Sequence, residues 1–329
     1  MSTVGTLKRA VKRAVATSWG WRSLGAALRA PGVIVLTYHR IVGDDRSFSG
    51  LPIEEFATQM QWLHERCDPI APDELVDRAR GPRSTRPAVL VTFDDGYRDY
   101  HDLAYPVLKR LGIPATVFVV TSLLDDGGML WTDQVQSAAL TCRRDRVTLP
   151  WSGESVVLTD DDARAALGTR ARAHLKSIPD GARREVVTTL LHELGDPPEK
   201  PRQMLTWDEV RATLPLTTYG GHSHTHPIMS RLSSDAAERE IRTCKERIAA
   251  ETGRAPTTFA YPNGRRSDYT PETQAILRRH GFTLAFATSE GIAGADSDWL
   301  AIKRMPAESA HDLGELAWLA AGMGADPSL

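Results

Sequence analysis

Residues Ala88 to Tyr100 read AVLVTFDDGYRDY, and the fold turns on how that stretch is read. Its first six residues form a short apolar, β-branched run of the kind that fills a strand buried on both faces. The run stops at Asp94-Asp95-Gly96. A buried strand that ends in carboxylates delivers them to the end of a sheet or barrel, where parallel α/β folds place their active sites. Asp-Gly pairs are also turn formers, so this stretch alone leaves a turn and a site both open.

The rest of the chain narrows the choice. Its 329 residues allow one large α/β domain or two smaller ones. With 41% hydrophobic and 25% charged residues the composition is that of a globular protein, and disordered and fibrous classes drop out. A net charge of −2 gives no reason to expect nucleic acid. Cys67, Cys142 and Cys244 lie far apart, outside any CxxC spacing, and read as free thiols in a reducing compartment. No segment approaches the roughly 18 apolar residues of a membrane span.

Residues 1–30 form a basic segment without an acidic residue. From 7 to 19 the basic side chains fall opposite Leu7, Ala10, Val11, Ala14 and Val15 on a helical wheel. Such a helix either rests on an anionic membrane surface or docks on its own domain. It lacks the apolar core and cleavage site of a signal peptide, so the expected location is cytoplasmic, and peripheral at the inner face of the membrane in the case that residues 7–19 rest on lipid.

From residue 31 onward, strand and helix patterns alternate. Strands are expected at Val33–Thr37, Ala88–Phe93, Ala115–Val120, Leu216–Tyr219, Thr257–Tyr261, Phe282–Ala287 and Leu300–Arg304. Helices are expected between them, including Pro52–Cys67, Asp102–Leu111, a Thr206-capped helix with Glu209 three residues on, and Ser233 to Thr252 before Gly253. Strand, helix, strand implies parallel pairing and right-handed crossovers. Residues 122–205 break this rhythm and read as a mainly helical insertion on one connection, with a hairpin around Trp151-Ser-Gly-Glu154. Trp131, Trp151 and Trp207, in or beside it, are candidates either for stacking on sugar rings or for the core.

His39, Asp94 with Asp95, His222-Ser-His224-Thr-His226 and Pro262-Asn263-Gly264 each follow directly after a strand candidate. In a parallel barrel those ends share one rim, so residues far apart in sequence converge. A carboxylate with imidazoles and open coordination positions suits a hydrolytic metal such as zinc, or cobalt, nickel or iron.

Thr92-Phe93-Asp94-Asp95-Gly96 and His222-Ser223-His224-Thr225-His226 resemble the first two signatures of the polysaccharide deacetylase (NodB-homology, carbohydrate esterase) family. The resemblance, scattered from about Val33 to Arg304, implies a deformed (β/α)7-type barrel that removes N-acetyl groups from amino-sugar polymers. Carried over position by position, it implies Asp95, His222 and His226 as metal ligands and Asp94 as general base, with His224 outside the ligand set. The metal expected is a divalent ion, zinc ahead of cobalt or nickel. The family's third signature, R-x-P, corresponds to Ala260-Tyr261-Pro262-Asn263, where alanine replaces the arginine that orients the base. Either another residue such as Arg304 takes its place or Asp94 is held differently. Tyr261, Pro262 and Asn263 are expected around the substrate and oxyanion, with Asn263 offering its backbone N–H. The family's L-x-x-H motif stands early, as Leu36-Thr-Tyr-His39, an order that resembles the permuted branch acting on poly-N-acetylglucosamine. His39 is thereby the expected acid.

The expected partner is an N-acetylated carbohydrate, as polymer or as a lipid- or nucleotide-linked precursor. Two other readings use the same barrel: a deformylase or small-amide amidohydrolase, and an inactive carbohydrate-binding module, which the missing arginine alone favours.

Overall fold

In the computed structural model, which describes residues 32–43, 49–82, 84–195, 202–310 and 312–320, the run Ala88–Phe93 is a strand buried at every position. It pairs in parallel on both sides, which is why it is apolar throughout and does not alternate. We number the barrel strands β1 (Ile34–Tyr38), β2 (Ala88–Phe93), β3 (Ala115–Val119), β4 (Thr217–Gly221), β5 (Thr258–Ala260), β6 (Leu284–Phe286) and β7 (Met305–Pro306). All neighbours along the path β6-β5-β4-β3-β2-β1-β7 are parallel, and the short strand Asp68–Pro69 adds to the start of β2. A parallel bridge between Phe286 and Ile302 links β6 to the segment that leads into β7. The sheet therefore curls into a deformed (β/α)7-type barrel whose last gap is bridged at two separate points.

That closure differs from the strand expected at Leu300–Arg304. Ile302 bonds to β6 through Ala285 and Ala287, Met305 pairs with Leu36 of β1, and between them the Arg304 N–H turns to the Ser289 carbonyl. One segment serves two neighbours in succession, so no continuous ladder forms. Gly220 and Gly221 also differ from expectation, lying inside β4 and not after it. A Cβ at Gly220 would meet the Phe118 ring at 2.6 Å and Thr258 Oγ1 at 2.5 Å, so the glycine lets β3 and β5 close against β4.

The helices are α1 (Ile53–Arg66), α2 (Leu75–Arg80), α3 (Tyr105–Leu111), α4 (Thr121–Asp126), α5 (Trp131–Thr141), α6 (Asp161–Ser177), α7 (Asp180–Leu194), α8 (Trp207–Thr213), α9 (Ser234–Thr252), α10 (Pro271–Arg279) and α11 (Leu313–Ala320). The α8 capping box is present, with Glu209 N–H donating to Thr206 Oγ1 and Thr206 N–H to the Glu209 carboxylate. The helix expected from Asp102 starts instead as a π-turn at Tyr100–Ala104, which runs into α3 and packs Tyr100 against Phe93 at 4.9 Å. Tyr38, Phe56, Phe93 and Tyr100 form an aromatic cluster beneath the His39 and Asp94 end of the barrel.

Between β3 and β4, helices α5, α6 and α7 and the hairpin Arg146–Thr148/Ser155–Val157 enclose an apolar cluster of their own, including Val135, Val147, Leu167 and Leu190. Cys67, Cys142 and Cys244 are buried free thiols. The basic amphipathic segment expected at 1–30 lies outside the described residues. Among the described residues no helix is long and apolar enough to cross a membrane.

Candidate active site

Strands β1, β2, β4, β5 and β7 all end at one rim, and each releases chemistry-bearing residues there. Asp94 and Asp95 follow β2 directly, yet they serve different partners because Asp95 takes a left-handed backbone, φ 73°. Ser223 at 63°, His226 at 60° and Asn263 at 64° share that conformation, which is rare for residues with a Cβ. All four stand on loops of the rim, as expected where precise placement of side chains outweighs backbone comfort.

Asp94 is 2% exposed and meets the guanidinium of Arg304, itself 1% exposed. Nη1 and Nη2 of Arg304 donate to the two carboxylate oxygens at 2.7 Å each, and Nε donates to the Ala287 carbonyl at 2.9 Å. This forked pairing fixes the carboxylate plane. Burial alone pushes the Asp94 carboxyl up, but the charge and hydrogen bonds of Arg304, with His222 and His39 nearby, hold it below the usual carboxylate range. Of the alternatives left open at Ala260, Arg304 is the side chain that meets the Asp94 carboxylate.

One oxygen of Asp95 lies 3.3 Å from His222 Nε2 and 3.4 Å from His226 Nε2, and these ligand atoms form a compact group able to hold a metal ion. Burial opposes ionisation of Asp95, but the two imidazoles more than offset it and keep the carboxyl well below its ordinary range. His222 Nδ1 donates to the Ala260 carbonyl at 2.8 Å, which leaves the Nε2 lone pair facing the group. A carbonyl on the far nitrogen of a ligating histidine is the usual support for a metal-bound imidazole. The donor set therefore fits a divalent ion. A second acidic group, His101, Asp102 and Glu209, is half-exposed and already engaged by Arg98 and Arg202.

His224 stands apart from the ligands, with Nδ1 2.9 Å from Thr121 Oγ1. The loop carrying it is anchored by Glu240 of α9, whose carboxylate accepts from the backbone N–H of His224 and Thr225 and from the Thr225 hydroxyl. His39 lies across the rim, its Nε2 3.9 Å from Asp94. Glu308 accepts from His39 Nδ1 at 2.9 Å and from its backbone N–H at 3.0 Å. Burial works against the imidazolium, but Glu308, with Asp94 and Asp95, raises its pKa to about 9.

These groups open into one cleft of about 940 Å³, which Asn263 also lines. Tyr261 and Pro262 do not take the place expected of them. Both are buried; Tyr261 stacks on Tyr269 at 4.0 Å and donates its hydroxyl to the Leu300 carbonyl beneath the rim. The three tryptophans likewise stay off the cleft wall. Trp207 donates to Asp125, Trp151 stacks on His174 at 4.6 Å, and Trp131 packs under Arg183. Glu308 and Glu240 escaped sequence reasoning; Glu308 carried one usable signal, its place just past the segment that delivers Arg304.

Compared with known proteins, the chain matches the family described as Polysaccharide deacetylase over residues 81–142 and 206–285. It is 33% identical over 107 residues to YxkH of Bacillus subtilis (strain 168), named provisionally as a polysaccharide deacetylase, covering 32% of this chain and 38% of that protein. It is 26% identical over 98 residues to the poly-beta-1,6-N-acetyl-D-glucosamine N-deacetylase of Escherichia coli (strain K12), covering 29% of this chain and 15% of the relative. The chain thus spans well under two thirds of these relatives' lengths. Among solved structures, the Streptococcus pyogenes deacetylase PplD in complex with acetate superposes with a TM-score of 0.60 at 19% identity, covering 88% of this chain and 97% of the other, a likeness of fold.

Proposed function

We propose a function from one premise, that the chain belongs to the polysaccharide deacetylase family. The protein is a metal-dependent hydrolase that removes N-acetyl groups from an amino-sugar polysaccharide or its precursor and releases acetate. One observation carries this reading: the Asp94–Arg304 pair, the Asp95, His222 and His226 group, and the His39–Glu308 pair all face a single cleft. Arg304 on Asp94 also takes away the one sequence feature that favoured an inactive binding module.

Asp95, His222 and His226 would hold the divalent ion, zinc ahead of cobalt or nickel, which when bound would polarise an amide carbonyl and acidify water. Asp94, ionised across the neutral range, takes the proton of the attacking water. Asn263 presents its backbone N–H to the oxygen on which charge develops. His39, kept protonated by Glu308, gives its proton to the departing amine, so water is consumed and free amine and acetate are left.

Chelated protein is expected to release no acetate from short N-acetylglucosamine oligomers, and resupply of zinc, cobalt or nickel to restore release. Absence of release with metal demonstrably bound would count against this substrate class.

The alkaline end of the pH–rate profile follows from the same geometry. The rate should fall as pH rises through about 9, where His39 loses its proton. In Glu308→Gln the support for the imidazolium is gone, so this alkaline limb should move to lower pH. An alkaline limb that stays in place in Glu308→Gln would remove His39 from the acid role.

A further inference from the structure

Among the described residues, every carboxylate that faces the cleft is already engaged. Asp94 meets Arg304, Asp95 meets two histidines, Glu308 meets His39, and Asp133 accepts from the Tyr97 hydroxyl at 2.8 Å. Arg40 is likewise engaged, with Asp99 and Gln203. Arg172 and Lys176 are different. They sit one turn apart on α6, half-buried, on the cleft wall that the insertion supplies. The Arg172 Nε reaches only its own helix, at the Gly168 carbonyl, and neither side chain forms an ion pair among the described residues. Other cations of the same helix are matched: Arg170 with Glu154 and Arg164 with Asp161.

Like charges four residues apart on a helix repel, and a concave, partly desolvated wall strengthens that repulsion. Arg265, just past Asn263-Gly264, adds its charge, and burial together with Arg265 and Arg172 lowers the Lys176 pKa. The Asp95 charge reaches Lys176, which places it within electrostatic range of the metal-binding group, and Arg172 acts on the Asp133 carboxylate of the same cleft. Among the described residues, a site with an unmatched guanidinium and ammonium, beside carboxylates that all have partners, is short of one anion. Arginine with lysine is the pairing that suits phosphate oxygens.

We propose that Arg172 and Lys176 form a subsite for a phosphate group, as ester or diester, borne by the amino sugar whose acetamide meets Asp94. This assignment rests on the deacetylase reading and narrows it to a phosphate-linked acceptor. The phosphate comes from either a nucleotide or a lipid carrier, and the substrates below separate the two.

The test compares kcat/KM for neutral N-acetylglucosamine oligomers with kcat/KM for N-acetylglucosamine 1-phosphate, UDP-N-acetylglucosamine and polyprenyl-pyrophosphate-linked N-acetylglucosamine. At least one phosphate-bearing substrate should be preferred. In Arg172→Gln/Lys176→Gln the ratio of phosphate-bearing to neutral substrate should fall about 10- to 100-fold, mainly through KM. Arg172→Lys/Lys176→Arg should retain most of the preference, which separates charge from packing. Metal-loaded Asp94→Asn protein should bind N-acetylglucosamine 1-phosphate in equilibrium dialysis, and the same protein carrying the two glutamines should not. Turnover of neutral oligomers with no phosphate preference and no effect of the glutamines overturns the subsite and leaves the deacetylase reading standing. Charge-dependent binding without turnover of any substrate supports the subsite and overturns the reaction. Neither binding nor turnover overturns both.

Discussion

Asp94→Asn is expected to keep its metal and lose about 10²- to 10⁴-fold in kcat, the usual worth of a positioned general base. The ligand group is untouched, since Asp95, His222 and His226 supply it. The asparagine carbonyl still offers Arg304 one acceptor, and Ala287 offers another, so the barrel end should remain folded. Metal content by elemental analysis and acetate release at saturating substrate read the two properties separately. His222→Ala should differ by losing both, because it removes a donor and the bond to the Ala260 carbonyl together. An active Asp94→Asn protein would show that another group takes the water's proton.

Arg304→Met should be the more damaging change to stability. It leaves a buried carboxylate without its guanidinium partner, and breaking such a pair costs about 3–5 kcal/mol. Urea unfolding of the variant should therefore show a lower midpoint at an unchanged slope. The surviving activity should carry a shifted acid limb. Asp94 in the parent sits below the usual carboxylate range, so the ionised base persists into acid; without Arg304 the largest influence opposing burial is gone, only His222 and His39 still oppose it, and the limb moves to higher pH. Adding Asp94→Asn to Arg304→Met should recover much of the lost stability, since the stranded charge disappears. An Arg304→Met protein with unaltered stability and acid limb would mean that the pairing does not hold the base.

The parts of the site that could be read from sequence are those where local pattern and position coincide. An apolar run ending in Asp94-Asp95-Gly96, and histidines spaced behind a strand, carry their meaning within a few residues. Arg304 was one option among two because its partner is 210 residues away and its strand is split between two neighbours, which erases the periodic signal. Glu308 is 269 residues from His39 and belongs to no motif. Tyr261 differs from expectation because adjacency to Pro262 and Asn263 in sequence does not bring its side chain to the same cleft. The chain passes from β5 to the rim there, and Tyr261 still belongs to the packed side, under Tyr269. Arg172 and Lys176 could not be read at all, since which face of α6 meets the cleft depends on how the insertion packs on itself.

The barrel's closing segment also sets a timetable. A ribosome makes β1 and β2 early, but the residues that complete the ring and orient both proton carriers come only at 302–308. Until then Asp94 is a carboxylate without its guanidinium and His39 an imidazole without its glutamate. These two pairings span 210 and 269 residues, the kind of contact that loop closure makes slowest. A copy that stops short of residue 302 lacks both Arg304 beside Asp94 and Glu308 beside His39.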